Sequence, residues 1–372
     1  PIDAGLAGSD LVYSLDGVVM DSNTWGAGFF PTWNFTPIGG SIGWSTQGGD
    51  MFLNINSEAN YLASYEPGSA GFFLILHETF HALGLKHTFD DGGTGRPTLD
   101  QIGLGVFDKD WFSVMSYAED YPVNQLSWDP ATPMLLDVLG LQYLYGPNWN
   151  TNRGDTTYTA SYEDFFATAW DAGGVDLIDL SQVPEGWRVV LPNEQPSELV
   201  PIKAGFATPS SQASSGAAEN FAPTNFFWLT GDIENVLGSA LGDEIFGSDL
   251  KNWLRGEGGN DFFRGSLGND TIDGGSGIDT VAYSGGQNSY TLTLSPTATT
   301  LSDRRLDGDG IDSLTEVELL EFANSSFDIS VRSSAVDLSE EDFAAIVELY
   351  IAYFNRAPAS KGLLYWADRL AE

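Results

Sequence analysis

The spacing of apolar positions changes character along the chain. DLVYSLDG (10–17) and GDMFLNIN (49–56) alternate apolar and polar residues between glycine-rich breaks, and read as strands. GFFLILHETFHALGL (71–85) has a helical period that ends at Gly84. TPMLLDVLGLQYLYG (132–146) predicts a second apolar helix, closed by Gly146 and Pro147. Short strand patterns follow in VDLIDLS, WRVVLP and NFFWLTG. The Ser-, Ala- and Pro-rich stretch 193–224 reads as an exposed loop or insertion. SIGWSTQGGDMFLNIN (41–56) reads as an edge strand, either plain or one along which a peptide lies antiparallel.

From residue 238 the period becomes nine. GSALGDEIF, GSDLKNWLR, GEGGNDFFR, GSLGNDTID and GGSGIDTVA keep glycine first, at Gly238, Gly247, Gly256, Gly265 and Gly274. The sixth positions are Asp243, Asn252, Asp261, Asp270 and Asp279. The eighth are Ile245, Leu254, Phe263, Ile272 and Val281. Such a repeat stacks as a parallel β-roll, with the eighth side chain inside and the sixth between successive loops. Stacked carboxylates repel, and Ca²⁺ held between loops removes the repulsion. The repeat resembles the RTX nonapeptide. The match is fullest in turns three to five, where Gly259, Gly268 and Gly277 fill the fourth position, and weaker where Leu241 and Leu250 stand. Firm calcium sites are therefore expected toward the later turns.

Strands SYTLTLS and LTEVELLEFA are expected to cap the roll, and DGDGID (307–312) reads as one more calcium loop or a plain turn. From Leu338 the pattern is helical, with Ser339, Glu341 and Asp342 at its start. YFNRAPASKGLLYW within it resembles part of a small helical module found on RTX proteins.

Composition narrows the function. Fifteen Lys and Arg stand against 52 Asp and Glu, a net charge of -37. Phosphate backbones and anionic membranes are poor partners for such a surface. At 42% hydrophobic residues the chain can bury a sizeable core. The absence of cysteine excludes disulfides, thiolate metal sites and a cysteine nucleophile. No apolar run reaches the roughly 18 residues of a membrane span.

All three histidines of the 372 residues fall within HETFHALGLKH (77–87). His77 and His81, four apart on a helix, share a face. Gly84 lets the chain reverse so that His87 can supply a third nitrogen. Three neutral ligands suit a hydrolytic Zn²⁺ with an open position for water, and Glu78 stands where it can take a proton from that water.

With SVMSY (113–117) downstream, the motif resembles the HExxHxxGxxH and methionine turn of metzincin proteases. The β-roll makes the whole similar to the serralysin type. The resemblance implies Met115 as an apolar floor under the histidines. It implies Tyr117 as a further zinc ligand that stabilises the oxyanion. MLLDVLGLQYLYG and TAWDAGGVDLIDLS are similar to the segments that follow in the family. One departure is HTFDDGG (87–93), where the family has a proline after the third histidine.

The expected fold is multidomain. A metzincin-like α/β catalytic domain spans 1–155, a calcium-binding all-β parallel roll 156–335 and a short helical segment 336–372. The calcium residues are expected to be Asp243, Asn252, Asp261, Asp270 and Asp279, with Gly256, Gly259, Gly265, Gly268, Gly274 and Gly277. The expected protein is a secreted zinc endopeptidase acting on proteins or peptides, without membrane insertion. The chain opens PIDAGLAGSD without a basic start and apolar stretch, so it is either processed or exported by a route that reads no N-terminal signal, and the resemblance to RTX proteins implies bacterial one-step (type I) export. The short stretch before the zinc helix suggests a missing N-terminal segment or a second chain of the same precursor. Two alternatives are a non-catalytic calcium-binding adhesin or surface-layer protein with a vestigial metal site, and a zinc hydrolase of another substrate.

Overall fold

In the computed structural model the described residues are the strands within 12–53, then 65–91, 95–117, 130–160, 166–193, 203–212, 223–294 and 299–329, with short helical pieces between 344 and 369. Contacts divide the chain into two units. The division is discontinuous: residues 1–151, 163–172 and 214–230 form the first unit, and 152–162, 173–213 and 231–372 the second.

In the first unit, β1 (Val12–Leu15), β2 (Gly26–Gly28) and β3 (Asp50–Leu53) form a sheet in the order β1-β3-β2. β1 runs parallel and β2 antiparallel to β3. β3 is therefore the central strand, and 50–53 does not form the edge strand expected there. Residues 41–49 and 54–56 of that expectation lie outside the described residues.

Helix α1 (Ala70–Ala82) starts at Ser69, whose Oγ accepts the Phe72 N–H at 3.3 Å. Helix α2 (Leu135–Tyr145) buries Leu135 and Asp137 on its first turn. Two further strands, β5 (Phe166–Trp170) and β9 (Phe226–Thr230), pair in parallel. They bring Phe226 and Trp228 against Trp111 and Phe112, all four at 1% exposure or less. The Trp228 indole N–H donates to the Trp111 carbonyl at 2.6 Å, which satisfies the polar end of a fully buried ring. This aromatic core lies next in sequence to the methionine turn.

In the second unit every nonapeptide ends in a three-residue strand, and successive strands alternate between two sheets. One sheet stacks β4 (Thr157–Thr159), β6 (Leu177–Asp179), β10 (Asn235–Leu237), β12 (Trp253–Arg255), β14 (Thr271–Asp273) and β18 (Ile311–Thr315) in parallel. The other stacks β7 (Trp187–Val190), β11 (Glu244–Phe246), β13 (Phe262–Arg264), β15 (Thr280–Ala282) and β19 (Leu319–Phe322) in the same way. All five eighth-position side chains are 0% exposed. Burying each such side chain is worth about 1.5–3 kcal/mol, so the nine-residue register is strongly specified.

Antiparallel strands close the far end: β16 (Tyr290–Leu294) and β17 (Thr299–Asp303) on one sheet, β20 (Ser325–Asp328) on the other. The stretch 193–224 is not wholly a loop. It contains β8 (Gly205–Pro209), fully buried and antiparallel to β7. Its small residues hide the strand pattern yet permit the close approach, since a Cβ on Gly205 would lie 2.1 Å from the Val190 carbonyl oxygen. Residues 344–346 and 348–349 are helical. No described helix is long and apolar enough to cross a membrane.

Candidate metal centres

α1 carries His77 and His81 on one face, their rings 4.8 Å apart and at right angles. The helix then stops. Gly84 takes φ +102°, a conformation that L side chains resist, and its N–H bonds the His81 carbonyl. The reversal returns His87 to the helix. Its Nε2 lies 3.1 Å from that of His77 and 3.0 Å from that of His81.

Each Nδ1 meets a separate oxygen: the Val114 carbonyl for His77 at 2.6 Å, the Leu85 carbonyl for His81 at 2.9 Å, and Asp90 Oδ2 for His87 at 2.6 Å. With Nδ1–H donating outward, each Nε2 presents a lone pair to the same point. Three converging lone pairs repel unless a cation lies between them, so the donor set fits a metal ion. It suits zinc, whose bonds to imidazole nitrogen are about 2.0–2.1 Å. Burial drives the His77 pKa down to about 3 and also lowers that of His81, which favours the neutral forms a metal requires.

The methionine turn is held from beneath by a residue the sequence did not single out. Asp137, on the first turn of α2, accepts the Ser113 hydroxyl at 2.6 Å, the Val114 N–H at 2.8 Å and the Met134 N–H at 2.9 Å. Burial raises its pKa to about 6 against these hydrogen bonds. Val114 thus links Asp137 to His77. The visible signal was an acid in the first turn of an otherwise apolar helix. Asp108 plays a similar part, accepting the hydroxyls of Thr88 and Ser116. Met115 is buried at 1% exposure.

The Tyr117 hydroxyl lies 3.1 Å from His77 Nε2, and its ring stacks on His77 at 5.2 Å. Burial first, then the charges of Glu78 and Asp90, push its pKa up to about 12. Glu78 itself is buried, one residue round α1 from His77. Phe89, in the unusual HTFDD segment, stacks on His87 with the rings 8° from parallel and also touches Tyr117.

The roll separates its five sixth-position residues into two groups. In turns three to five, one oxygen of each carboxylate accepts a backbone N–H from the turn eighteen residues earlier: Asp261 from Asp243, Asp270 from Asn252, Asp279 from Asp261. The other oxygen, Oδ2 of Asp261, Asp270 and Asp279, is buried without a hydrogen-bond partner. Burial raises these pKa values to about 7 for Asp261 and about 8 for Asp270, and upward for Asp279. Buried, unpartnered carboxylate oxygens fit a calcium ion.

Turns one and two are already satisfied. Asp243 accepts the N–H groups of Trp187 at 2.6 Å and Ser239 at 2.7 Å. Asn252 accepts the Ser248 N–H at 2.7 Å and donates to the Glu234 carbonyl.

The difference has a backbone cause. In the later turns the second position has positive φ, at Glu257, Ser266 and Gly275, as does the fourth, at Gly259, Gly268 and Gly277. The second-position N–H no longer meets its own turn's carboxylate. In turns one and two the second-position serines and fourth-position leucines are not among the positive-φ residues, and the serine N–H stays in place. The first-position glycines are required by proximity: a Cβ on Gly256 or Gly265 would sit 2.0 or 2.2 Å from Oδ2 of Asp261 or Asp270.

DGDGID joins the roll as a further turn. Asp312 accepts the Asp270 N–H at 3.0 Å across 42 residues, where the repeat needs 18. Gly310 at φ +90° lies over Gly268, and Leu314 pairs with Ile272.

Comparison with known proteins finds a calcium-binding repeat and metalloprotease relatives. The RTX calcium-binding nonapeptide repeat matches residues 246–281 in four copies. Metallopeptidase AprA of Pseudomonas marginalis is 31% identical over 137 residues, 32% of this chain and 28% of that protein. Serralysin C of Dickeya chrysanthemi is 32% identical over 145 residues, 35% of this chain and 30% of that protein. Serralysin G of the same organism is 30% identical over 200 residues, half of this chain and 39% of that protein. The chain is thus similar to serralysin-type metalloproteases and carries RTX repeats, and it spans about a third of the length of the curated relatives it matches.

Proposed function

We propose that this chain belongs to a secreted zinc endopeptidase of the serralysin type, stabilised by calcium in its roll. The observation that carries the reading is the convergence of three Nε2 lone pairs, each histidine turned inward by its own Nδ1 acceptor. His77, His81 and His87 would hold the zinc, which supplies a polarised water and a Lewis acid for a peptide carbonyl. Glu78 accepts a proton from the attacking water and passes it to the leaving amine. Burial of Glu78 keeps bulk water from competing for that proton. The Tyr117 hydroxyl, with its pKa near 12, remains protonated at neutral pH and can donate a hydrogen bond to a developing oxyanion.

The first unit is read as a metzincin-like catalytic domain, and the helical residues after 336 as a separate short segment. Asp261, Asp270 and Asp279 are the proposed calcium carboxylates. Asp243 and Asn252 act in the same stack through hydrogen bonds. A roll whose later turns need millimolar calcium suits a protein that folds after export. The test is metal analysis of the purified chain combined with casein digestion. The reading requires about one zinc per chain and activity lost in Glu78→Gln with the zinc retained. Full digestion by Glu78→Gln would overturn it.

A further inference from the structure

The three histidines are not held alike. His77 and His81 direct Nδ1 onto backbone carbonyls, whereas His87 directs Nδ1 onto the carboxylate of Asp90 at 2.6 Å. His87 is also the ligand outside the helix, so its orientation depends on a loop.

That loop is pinned around Asp90. Lys86 Nζ donates to the Asp90 carbonyl at 2.6 Å and to the His87 carbonyl at 2.9 Å. The Thr88 N–H donates to the Met115 carbonyl, its carbonyl accepts the Leu99 N–H, and its hydroxyl donates to Asp108. On the other side the Phe89 ring lies flat against His87. The backbone carrying Asp90 is thus anchored both to the methionine turn and to the loop after α1.

We propose that Asp90 is the positioning residue of the metal site: it fixes His87 as the Nδ1–H tautomer, keeps the Nε2 lone pair facing His77 and His81, and strengthens that nitrogen as a ligand. A carboxylate acceptor makes the imidazole it holds more basic toward a metal than a neutral carbonyl does. His87 gains nothing from helix geometry, so it is the ligand for which such a hold decides occupancy. Asp90 acts through His87.

The inference rests on the zinc reading, and two measurements keep the two apart. The full chain has only three histidines, so their ring nitrogens can be followed by nitrogen-15 NMR. In the metal-free wild type His87 is expected as the Nδ1–H tautomer, and in Asp90→Ala as a mixture with Nε2–H. Zinc affinity, measured by competition with a chelator, is expected to fall about 10- to 100-fold in Asp90→Ala. Asp90→Asn keeps a neutral acceptor and should lose less. It also carries the test if the alanine variant fails to fold. Wild-type tautomer and wild-type affinity in both variants would overturn the role of Asp90. A wild-type chain that takes up no zinc would overturn the metal reading itself.

Discussion

The histidine cluster and the carboxylate stack are both built for cations, but they solve the metal-free state in opposite ways. Around the histidines, neutral groups are turned into place by acceptors outside the cluster, so their orientation has a source other than the ion. In the later turns of the roll, acids of the same sign are stacked in register, and each leaves an oxygen buried without a partner. The first site is organised before its ion arrives. The second is unbalanced until a cation or a proton arrives. A metal centre on the fold's own terms and a metal that is part of the fold should therefore respond differently to the same treatments.

Catalysis gives the largest expected effect. Glu78→Gln should lower casein hydrolysis by a factor on the order of 10² to 10⁴ while zinc content stays near one per chain. Metal content and rate measured on the same sample check it. Calcium withdrawal comes next. Hydrogen exchange should show turns three to five losing protection when calcium is chelated, while α1 keeps its own after zinc is removed. Equal loss in both places would break the contrast.

Acid should act on the two regions with opposite sign. His77 titrates lower in the folded state than its usual value of 6.5, so its contribution is present above that pH and is lost toward about 3. Asp261 and Asp270 titrate higher than the usual 3.8, near 7 and 8, so in the calcium-free chain their contribution is present at acid pH and is lost as pH rises through those values. Calcium-free melting curves of the roll should accordingly be higher at pH 5 than at pH 8.5, and saturating calcium should remove that advantage.

The smallest effects separate turns within the roll. Asp270→Ala should raise the calcium midpoint on the order of tenfold, through loss of ligand charge. Asn252→Ala should cost about 1–3 kcal/mol with or without calcium, because only hydrogen bonds are lost. Denaturation at two calcium concentrations distinguishes them.

The parts legible in the sequence were those whose physics is local. Four residues separate His77 from His81 on any helix, and nine separate the glycines and the apolar residues of any roll. Asp90 was within three residues of a ligand, yet no spacing rule said that its carboxylate would meet His87. Asp137 lies more than twenty residues from the turn it holds. β8 was hidden because its small residues carry no alternation. The split between early and late turns was only half visible. A second-position serine occurs in turns one, two and four, and Ser266 differs from Ser239 and Ser248 in being followed by a fourth-position glycine, Gly268, with both residues at positive φ.

Because each turn pairs with the turn eighteen residues away, the stack is two interleaved ladders. Asp243, Asp261 and Asp279 climb one and end on Glu318. Asn252 and Asp270 climb the other and end on Asp312. Repeat number then has parity. Adding or deleting one nonapeptide would leave every glycine and core residue in register, yet would present each ladder to the other's closing carboxylate. Pairs of repeats are the unit in which such a roll can be lengthened or shortened without remaking its end.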